Sequence, residues 1–138
     1  MKTIDITVSR LIPASATEVF DAWIDPKNPG SFFYDNTKVV VNAVVEGLFY
    51  WAHRSKGGAI HPHFGRFLKL DRGKLVEYTW MSEGTRGSET TVSISFESRD
   101  KGTQMTIHHT GLPDDDSGRA HEQGWGYFLG EMEKRVSK

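Results

Sequence analysis

The hydrophobic pattern of this chain changes its period once, and that change limits the folds it can form. Between about residues 37 and 110, apolar and polar residues alternate over short segments separated by turn signals, which predicts a series of β-strands. Beyond residue 113 the apolar residues recur every three or four positions, as on one face of an α-helix. Strands on short turns followed by one long helix indicate an α+β domain with an antiparallel sheet.

The predicted sheet has about six or seven strands. The first covers residues 4–8, where Ile4, Ile6 and Val8 share one face, and Pro13 ends it. The remaining strands are predicted over residues 37–45, 47–54, 60–70, 74–81, 89–98 and 103–110. Alternation along them predicts one apolar face and one solvated face, so the sheet needs a cover. The C-terminal helix is the one long element predicted to provide it.

Two short helices are predicted after the first strand. Ser15 and Glu18 have the spacing of a capping box, and a second helical turn is expected over residues 26–32. The long C-terminal helix has a stripe formed by His121, Trp125, Phe128, Met132 and Val136. It follows the acidic run 114–116, which supplies a cap and negative charge at the positive end of the helix dipole.

Three glycines lie inside this long helix, at Gly124, Gly126 and Gly130. Each costs about 1 kcal/mol relative to alanine, so something should offset them. Two explanations are open: close packing of the helix on the sheet, or space for a ligand beside Trp125.

Composition excludes several classes of protein. The 138 residues predict a single domain over 1–138, and 17 basic against 18 acidic side chains give a net charge of −1. The basic residues are scattered, so nucleic-acid binding is not expected. The polar N-terminus does not resemble a signal peptide, and no apolar run is long enough for a membrane span. The absence of cysteine excludes disulfides and fits a cytoplasmic location.

Histidines are the sharpest chemical feature, and six are present, at 53, 61, 63, 108, 109 and 121. Alternation places His53 on the face of Trp51, and His109 on the face of Ile107, while His121 lies on the helix stripe. These three histidines could converge on a cavity. They could be structural, could orient a ligand or act in acid/base catalysis, or could bind a metal.

No metal or cofactor is expected from the motifs. The pair His61 and His63 could chelate an ion from one strand, but spacing supplies no third ligand. The chain has no phosphate loop, no dinucleotide fingerprint and no nucleophile elbow. A nucleophilic enzyme is therefore not expected.

The chain resembles the bacterial homologues of the C-terminal domain of the heat-shock-protein-90 ATPase activator. These belong to the START-like, birch-pollen-allergen-like superfamily, also called SRPBCC. Four stretches of the sequence carry the resemblance: Ile12–Ala14 with Glu18–Pro26; Gly47 with Phe49; Gly65–Leu70 with Lys74–Trp80; and Thr103, Met105, Ile107, His109 and Gly111 with His121, Gly124 and Trp125. Glu46-Gly47 stands where the family often has two glycines, and Phe32-Phe33-Tyr34 where it often has a tryptophan.

The resemblance implies a helix-grip fold, in which a curved antiparallel sheet wraps around the C-terminal helix and leaves a cavity between the two. It implies binding of a small apolar or amphipathic molecule, without catalysis. The aromatic content of 12% favours a flat or aromatic ligand. The candidate ligand-binding residues are Trp23, Phe33, Phe49, Trp51, His53, Tyr78, Trp80, Ile94, Met105, Ile107, His109, His121, Trp125 and Phe128.

Two alternatives remain open. One is a cyclase or hydrolase that uses the cavity histidines, as some superfamily members do. The other is a protein–protein adaptor in the stress response with a chaperone partner, which rests on the resemblance alone. A homodimer is also expected, because closed twofold assemblies are common.

Overall fold

The computed structural model describes residues 2–28, 31 and 38–136. The strands are β1 (Thr3–Ile12), β2 (Lys38–Val41), β3 (Leu48–Arg54), β4 (Ile60–Asp71), β5 (Leu75–Ser82), β6 (Thr90–Arg99) and β7 (Gly102–Pro113). The helices are α1 (Ala16–Ile24) and α2 (Asp116–Val136), with one turn of 3₁₀ helix at Glu83–Thr85.

The seven strands form one antiparallel sheet with the order β1-β7-β6-β5-β4-β3-β2. Strands β2 to β7 are a meander, and β1 adds to its end by pairing with β7. Register shifts interrupt the pairing in β1 between Ile4 and Ile6, and in β4 between Phe67 and Lys69. Such irregularities bend a sheet. Helix α2 packs mainly across β1 and β7, so the predicted helix-grip architecture is confirmed.

The core lies between the concave face of the sheet and the two helices. Alternation directs Ile94 of β6 and Ile107 of β7 inward, and both are fully buried. Helix α1 covers one side of this core with Phe20 and Trp23, and Trp23 lies 6.2 Å from Trp125 of α2 between ring centroids. Burial of these large side chains is the main source of stability in such a layer.

Both predicted helix caps are present. The hydroxyl of Ser15 accepts a hydrogen bond from the Glu18 amide at 3.3 Å, and Asp115 Oδ1 accepts one from the Gly118 amide at 2.8 Å. This amide, together with the guanidinium of Arg86, lowers the pKa of Asp115. The acidic run before α2 is therefore a helix start.

Some element bounds differ from those predicted. Strand β2 ends at Val41 rather than near residue 45, because residues 42–47 form a tight turn. In that turn Glu46 has a φ of 70°, and a Cβ on Gly47 would lie 2.0 Å from the Asn42 carbonyl oxygen. Of the second short helix expected over 26–32, residues 26–28 form a turn and most of the remainder lies outside the described residues.

Within the described ranges, no helix is both long enough and apolar enough to cross a membrane.

Candidate functional site

A cleft of about 320 Å³ opens between strands β3–β5 and the N-terminal half of α2. It lies at one end of the layer between sheet and helix, beyond the point where α2 packs on β1 and β7. The residues that line it are Trp51, His53, His61, Pro62, His63, Trp80, Ser82, Glu83, Gly84, Ser117, Ala120, His121, Gly124, Trp125 and Phe128.

Four aromatic side chains form the apolar wall of the cleft, and each contacts the next. Trp51 lies 5.8 Å from Trp80 between ring centroids, Trp80 lies 4.9 Å from Trp125, and Trp125 lies 5.8 Å from Phe128. Phe128 closes the circuit edge-on to Trp51 at 6.2 Å. Rings that contact at these distances hold one another in place. We call this set the aromatic wall.

The β3–β4 hairpin brings three histidines to the rim. Its register places His53 opposite His61, and Trp51 opposite His63. The His63 ring stacks on Trp51 at 3.9 Å with an angle of 5° between the planes. Burial lowers the pKa of His63 to about 4, opposed only in part by the backbone of His61. His63 Nδ1 is buried and has no hydrogen-bond partner among the described residues.

The 3₁₀ turn that follows β5 forms the floor of the opening. The Ser82 hydroxyl accepts a hydrogen bond from the Gly84 amide, and the Thr85 hydroxyl accepts one from the Ser82 amide. This reciprocal capping fixes a turn with poor intrinsic stability. It presents the Glu83 carboxylate 3.5 Å from His61 Nδ1.

Helix α2 contributes a face with small side chains. Ala120 and Gly124 lie one turn apart, and both line the cleft. A Cβ at Gly124 or Gly126 would meet no atom within 4 Å, and one at Gly130 would meet only the end of the Arg10 side chain, at 3.9 Å. Close packing of the helix on the sheet therefore does not explain these three glycines. Of the three, Gly124 alone lines the cleft, beside Trp125.

His121 presents a hydrogen-bond acceptor to the cleft. Its Nδ1 lies 2.9 Å from the carbonyl oxygen of Ser117. A carbonyl can only accept, so Nδ1 carries the proton and Nε2 is left as an acceptor in the neutral ring. Burial lowers the pKa of His121, against the opposing effect of the Ser117 and Gly118 carbonyls.

His109 lies behind the cleft rather than in it. Its ring is fully buried, 5.2 Å from that of His121. Nδ1 accepts a hydrogen bond from Trp125 Nε1 at 3.0 Å, and Nε2 lies 2.7 Å from the Thr90 hydroxyl. The Thr90 hydroxyl donates to the carbonyl oxygen of Trp80, so His109 Nε2 must be the donor to Thr90. Burial lowers the pKa of His109 to about 3.

The structure divides the candidate residues into two groups. Six of them line the cleft: Trp51, His53, Trp80, His121, Trp125 and Phe128. Seven are buried in the core and are not among the residues lining it: Trp23, Phe49, Tyr78, Ile94, Met105, Ile107 and His109. Phe33 lies outside the described residues.

Sequence reasoning omitted His61, His63 and the residues of the 3₁₀ turn from the candidate list. A signal for the histidines was present. A hairpin folded about Gly57 pairs positions equidistant from 57, which places His61 opposite His53 and His63 opposite Trp51. For the turn, Glu83-Gly84 indicated a reversal of the chain, and a hydroxyl three residues after Ser82, at Thr85, was the signal for its capping.

The clustered histidines do not form a metal centre in the described part of the chain. No group of three or more histidine, aspartate or glutamate side chains is placed there to hold an ion.

Comparison with known proteins decides the family. The family model described as "Activator of Hsp90 ATPase homolog 1-like protein" matches residues 13–137. The chain belongs to this family. The resemblance inferred from the sequence is therefore confirmed. Among curated proteins, none matches this member of the Hsp90-activator-like family by sequence.

Solved structures resemble this Hsp90-activator-like protein over nearly its whole length. A crystal structure of a Chromobacterium violaceum protein has a TM-score of 0.83 at 22% identity, covering 97% of both chains. A Mesorhizobium loti protein has a TM-score of 0.79 at 16% identity, again over 97% of both chains. An AHSA1-like protein from Aeromonas hydrophila has a TM-score of 0.74 at 21% identity, covering 97% of this chain and 92% of its own. At such identities, the likeness bears on the fold alone.

Proposed function

We propose that this protein binds a small apolar or amphipathic molecule, at least partly aromatic, in the cleft between sheet and α2, and that it does so without catalysis. The aromatic wall is the observation that carries the proposal. Ligand sites are mostly apolar with a few convergent polar groups, and here four contacting rings are bordered by imidazoles. The volume of about 320 Å³ is at the lower end of the roughly 300–1,000 Å³ of such sites. It suits a molecule with one or two rings.

The environment of His109 argues against the enzymatic alternative. Both of its ring nitrogens are used within the protein, and the ring is fully buried. It can therefore neither reach a substrate in the cleft nor exchange a proton with one. No described residue bonds to His121 Nε2, and this acceptor serves ligand orientation without requiring a reaction. The chaperone adaptor rests on the family resemblance and stays a prediction.

The test is a thermal shift with a panel of one- and two-ring aromatic compounds. A ligand that binds the folded protein alone raises the melting temperature with concentration. We expect at least one compound to do so with the parent protein, and expect Ala120→Phe to abolish the shift because the new ring fills the cleft. Gln123→Phe, at an exposed helix position outside the cleft, is the matched control and should keep the shift.

Two results would contradict the proposal. Either no compound stabilises the parent protein, or Ala120→Phe responds as strongly as the parent, which would place binding elsewhere.

A further inference from the structure

The charge of the cleft limits the ligands that can enter it. Among the residues that line the opening, Glu83 is the only carboxylate, and no lysine or arginine is present. The Glu83 side chain is 76% exposed and faces His61. A ligand carboxylate would therefore meet a carboxylate of the same sign and no fixed cation. An anion gains most from a charge-assisted or bidentate partner, and this wall offers none.

Two of the histidines that line the cleft, His63 and His121, do not supply that missing positive charge near neutral pH. His63 is stacked on Trp51 and has a pKa of about 4 because of burial. The pKa of His121 is also lowered by burial. Both rings are therefore neutral at pH 7. A neutral imidazole can accept a hydrogen bond as well as donate one.

The orientation of His121 decides which role it has. Because Nδ1 donates to the Ser117 carbonyl, the other nitrogen, Nε2, can only accept in the neutral ring. No hydrogen bond to Nε2 is made within the described residues. Gly84 lies close to the same side of this ring: a Cβ there would be 3.0 Å from Cε1 and 3.5 Å from Nε2. The acceptor is thus held in place by the helix on one side and the 3₁₀ turn on the other.

We infer that the ligand is a neutral, planar aromatic molecule with one hydrogen-bond donor, such as a phenolic hydroxyl or a ring N–H, directed at His121 Nε2. Its ring plane contacts the aromatic wall. Molecules of the same shape that bear a carboxylate are disfavoured. This inference rests on the proposed function and narrows its ligand class.

Three probes that share one ring system test the inference by calorimetry at pH 7.5. They are 2-naphthol, which has a donor; 2-methoxynaphthalene, which has none; and 2-naphthoate, which is an anion. We expect 2-naphthol to bind about fivefold or more tightly than 2-methoxynaphthalene, the factor typical of one neutral hydrogen bond. We expect 2-naphthoate to bind no better than 2-methoxynaphthalene.

Two variants assign the preference to His121. His121→Leu removes the acceptor, and the ratio of the two affinities should fall to about one. His121→Gln retains a carbonyl acceptor and should restore part of the preference. His108→Leu is the matched control, since it removes an exposed imidazole that does not line the cleft; it should leave the ratio unchanged.

The outcomes separate this inference from the proposed function. Equal affinities for 2-naphthol and 2-methoxynaphthalene, tightest binding of 2-naphthoate, or an unchanged ratio in His121→Leu would overturn the inference while leaving a binding protein. No binding of any of the three probes, together with no stabilisation by the wider aromatic panel, would overturn both.

Discussion

The hydrogen bonds of His109 show how one buried residue can be held in a single state. Trp125 donates to Nδ1, Nε2 donates to Thr90, and Thr90 donates to the Trp80 carbonyl. Each proton in this series of hydrogen bonds has one acceptor, so the neutral Nε2–H tautomer of His109 is the form that satisfies all the groups. These hydrogen bonds connect Thr90 of β6 and His109 of β7 to Trp80 and Trp125, and so hold two members of the aromatic wall in position.

Thr90→Val tests this arrangement at the residue scale. Valine fills the same space but leaves the buried Nε2–H of His109 without an acceptor. We expect the free energy of unfolding to fall by about 1–3 kcal/mol, the usual cost of an unsatisfied buried polar group, measured by urea denaturation. Thr91→Val, at the next position on the opposite face of β6, should change stability by less than about 0.5 kcal/mol. Equal small effects at both positions would contradict the account of His109.

Alternation along the strands predicted the direction of the site side chains but not their depth. It correctly placed Trp51, Trp80, Ile94 and Ile107 on the inner face. The two-residue alternation of a strand shows which face a side chain lies on. It does not show at which residue the covering helix ends. Ile94 is therefore a core residue and Trp51 a cleft residue, although their patterns look alike.

Helix α2 gives up intrinsic stability where it borders the cleft. Gly124 and Gly126 are two residues apart in α2, and a Cβ added at either would meet no atom within 4 Å. Only Gly124 lines the cleft. The two positions therefore separate helix propensity from cleft geometry.

Gly124→Ala and Gly126→Ala form a matched pair for this element. Each should raise the free energy of unfolding by up to about 1 kcal/mol, because alanine is the better helix former and finds space. Only Gly124→Ala should weaken binding of 2-naphthol, since its methyl group narrows the opening. Chemical denaturation and calorimetry measure the two effects. A loss of stability in both variants would show that the helix is more tightly packed than the structure describes.

The elements differ in how well the sequence predicted them. Strands β3 to β7 lie within three residues of their predicted bounds, because glycine-containing turns separate them. Helix α2 was equally clear from its cap and stripe. A turn after β5 was predicted from Glu83-Gly84, but its 3₁₀ form was not, because that form depends on hydrogen bonds of the Ser82 and Thr85 hydroxyls.

At the scale of the whole molecule, three histidines among the described residues have pKa values lowered by burial: His63, His109 and His121. Their folded-state pKa values lie below 6.5, so the unfolded chain binds more protons as the pH falls through that value. Stability is therefore complete above about pH 6.5 and decreases below it. Asp21, Asp115 and Glu131 have pKa values lowered by their partners and titrate at lower pH.

Acid sensitivity between pH 7 and 5 is the expected global result. His109 alone should contribute a loss of about 2 kcal/mol over this range, given its folded pKa of about 3. Urea denaturation across the range measures the slope, and His109→Gln should reduce it by the contribution of one titrating group. His108→Gln controls for removing an exposed imidazole from the same strand. A stability that stays level from pH 7 to 5 in the parent would contradict the burial of these rings as described.

The clustering of the tryptophans gives the protein a built-in optical reporter. All four are linked through short centroid distances: Trp51 to Trp80 at 5.8 Å, Trp80 to Trp125 at 4.9 Å, and Trp125 to Trp23 at 6.2 Å. Indoles this close exchange excitation energy, so the intrinsic emission and the near-ultraviolet circular dichroism report on the group as a unit. A molecule that entered the cleft beside one tryptophan would change the signal of the whole group. Ligand occupancy of the cleft could then be measured from intrinsic fluorescence without an added label.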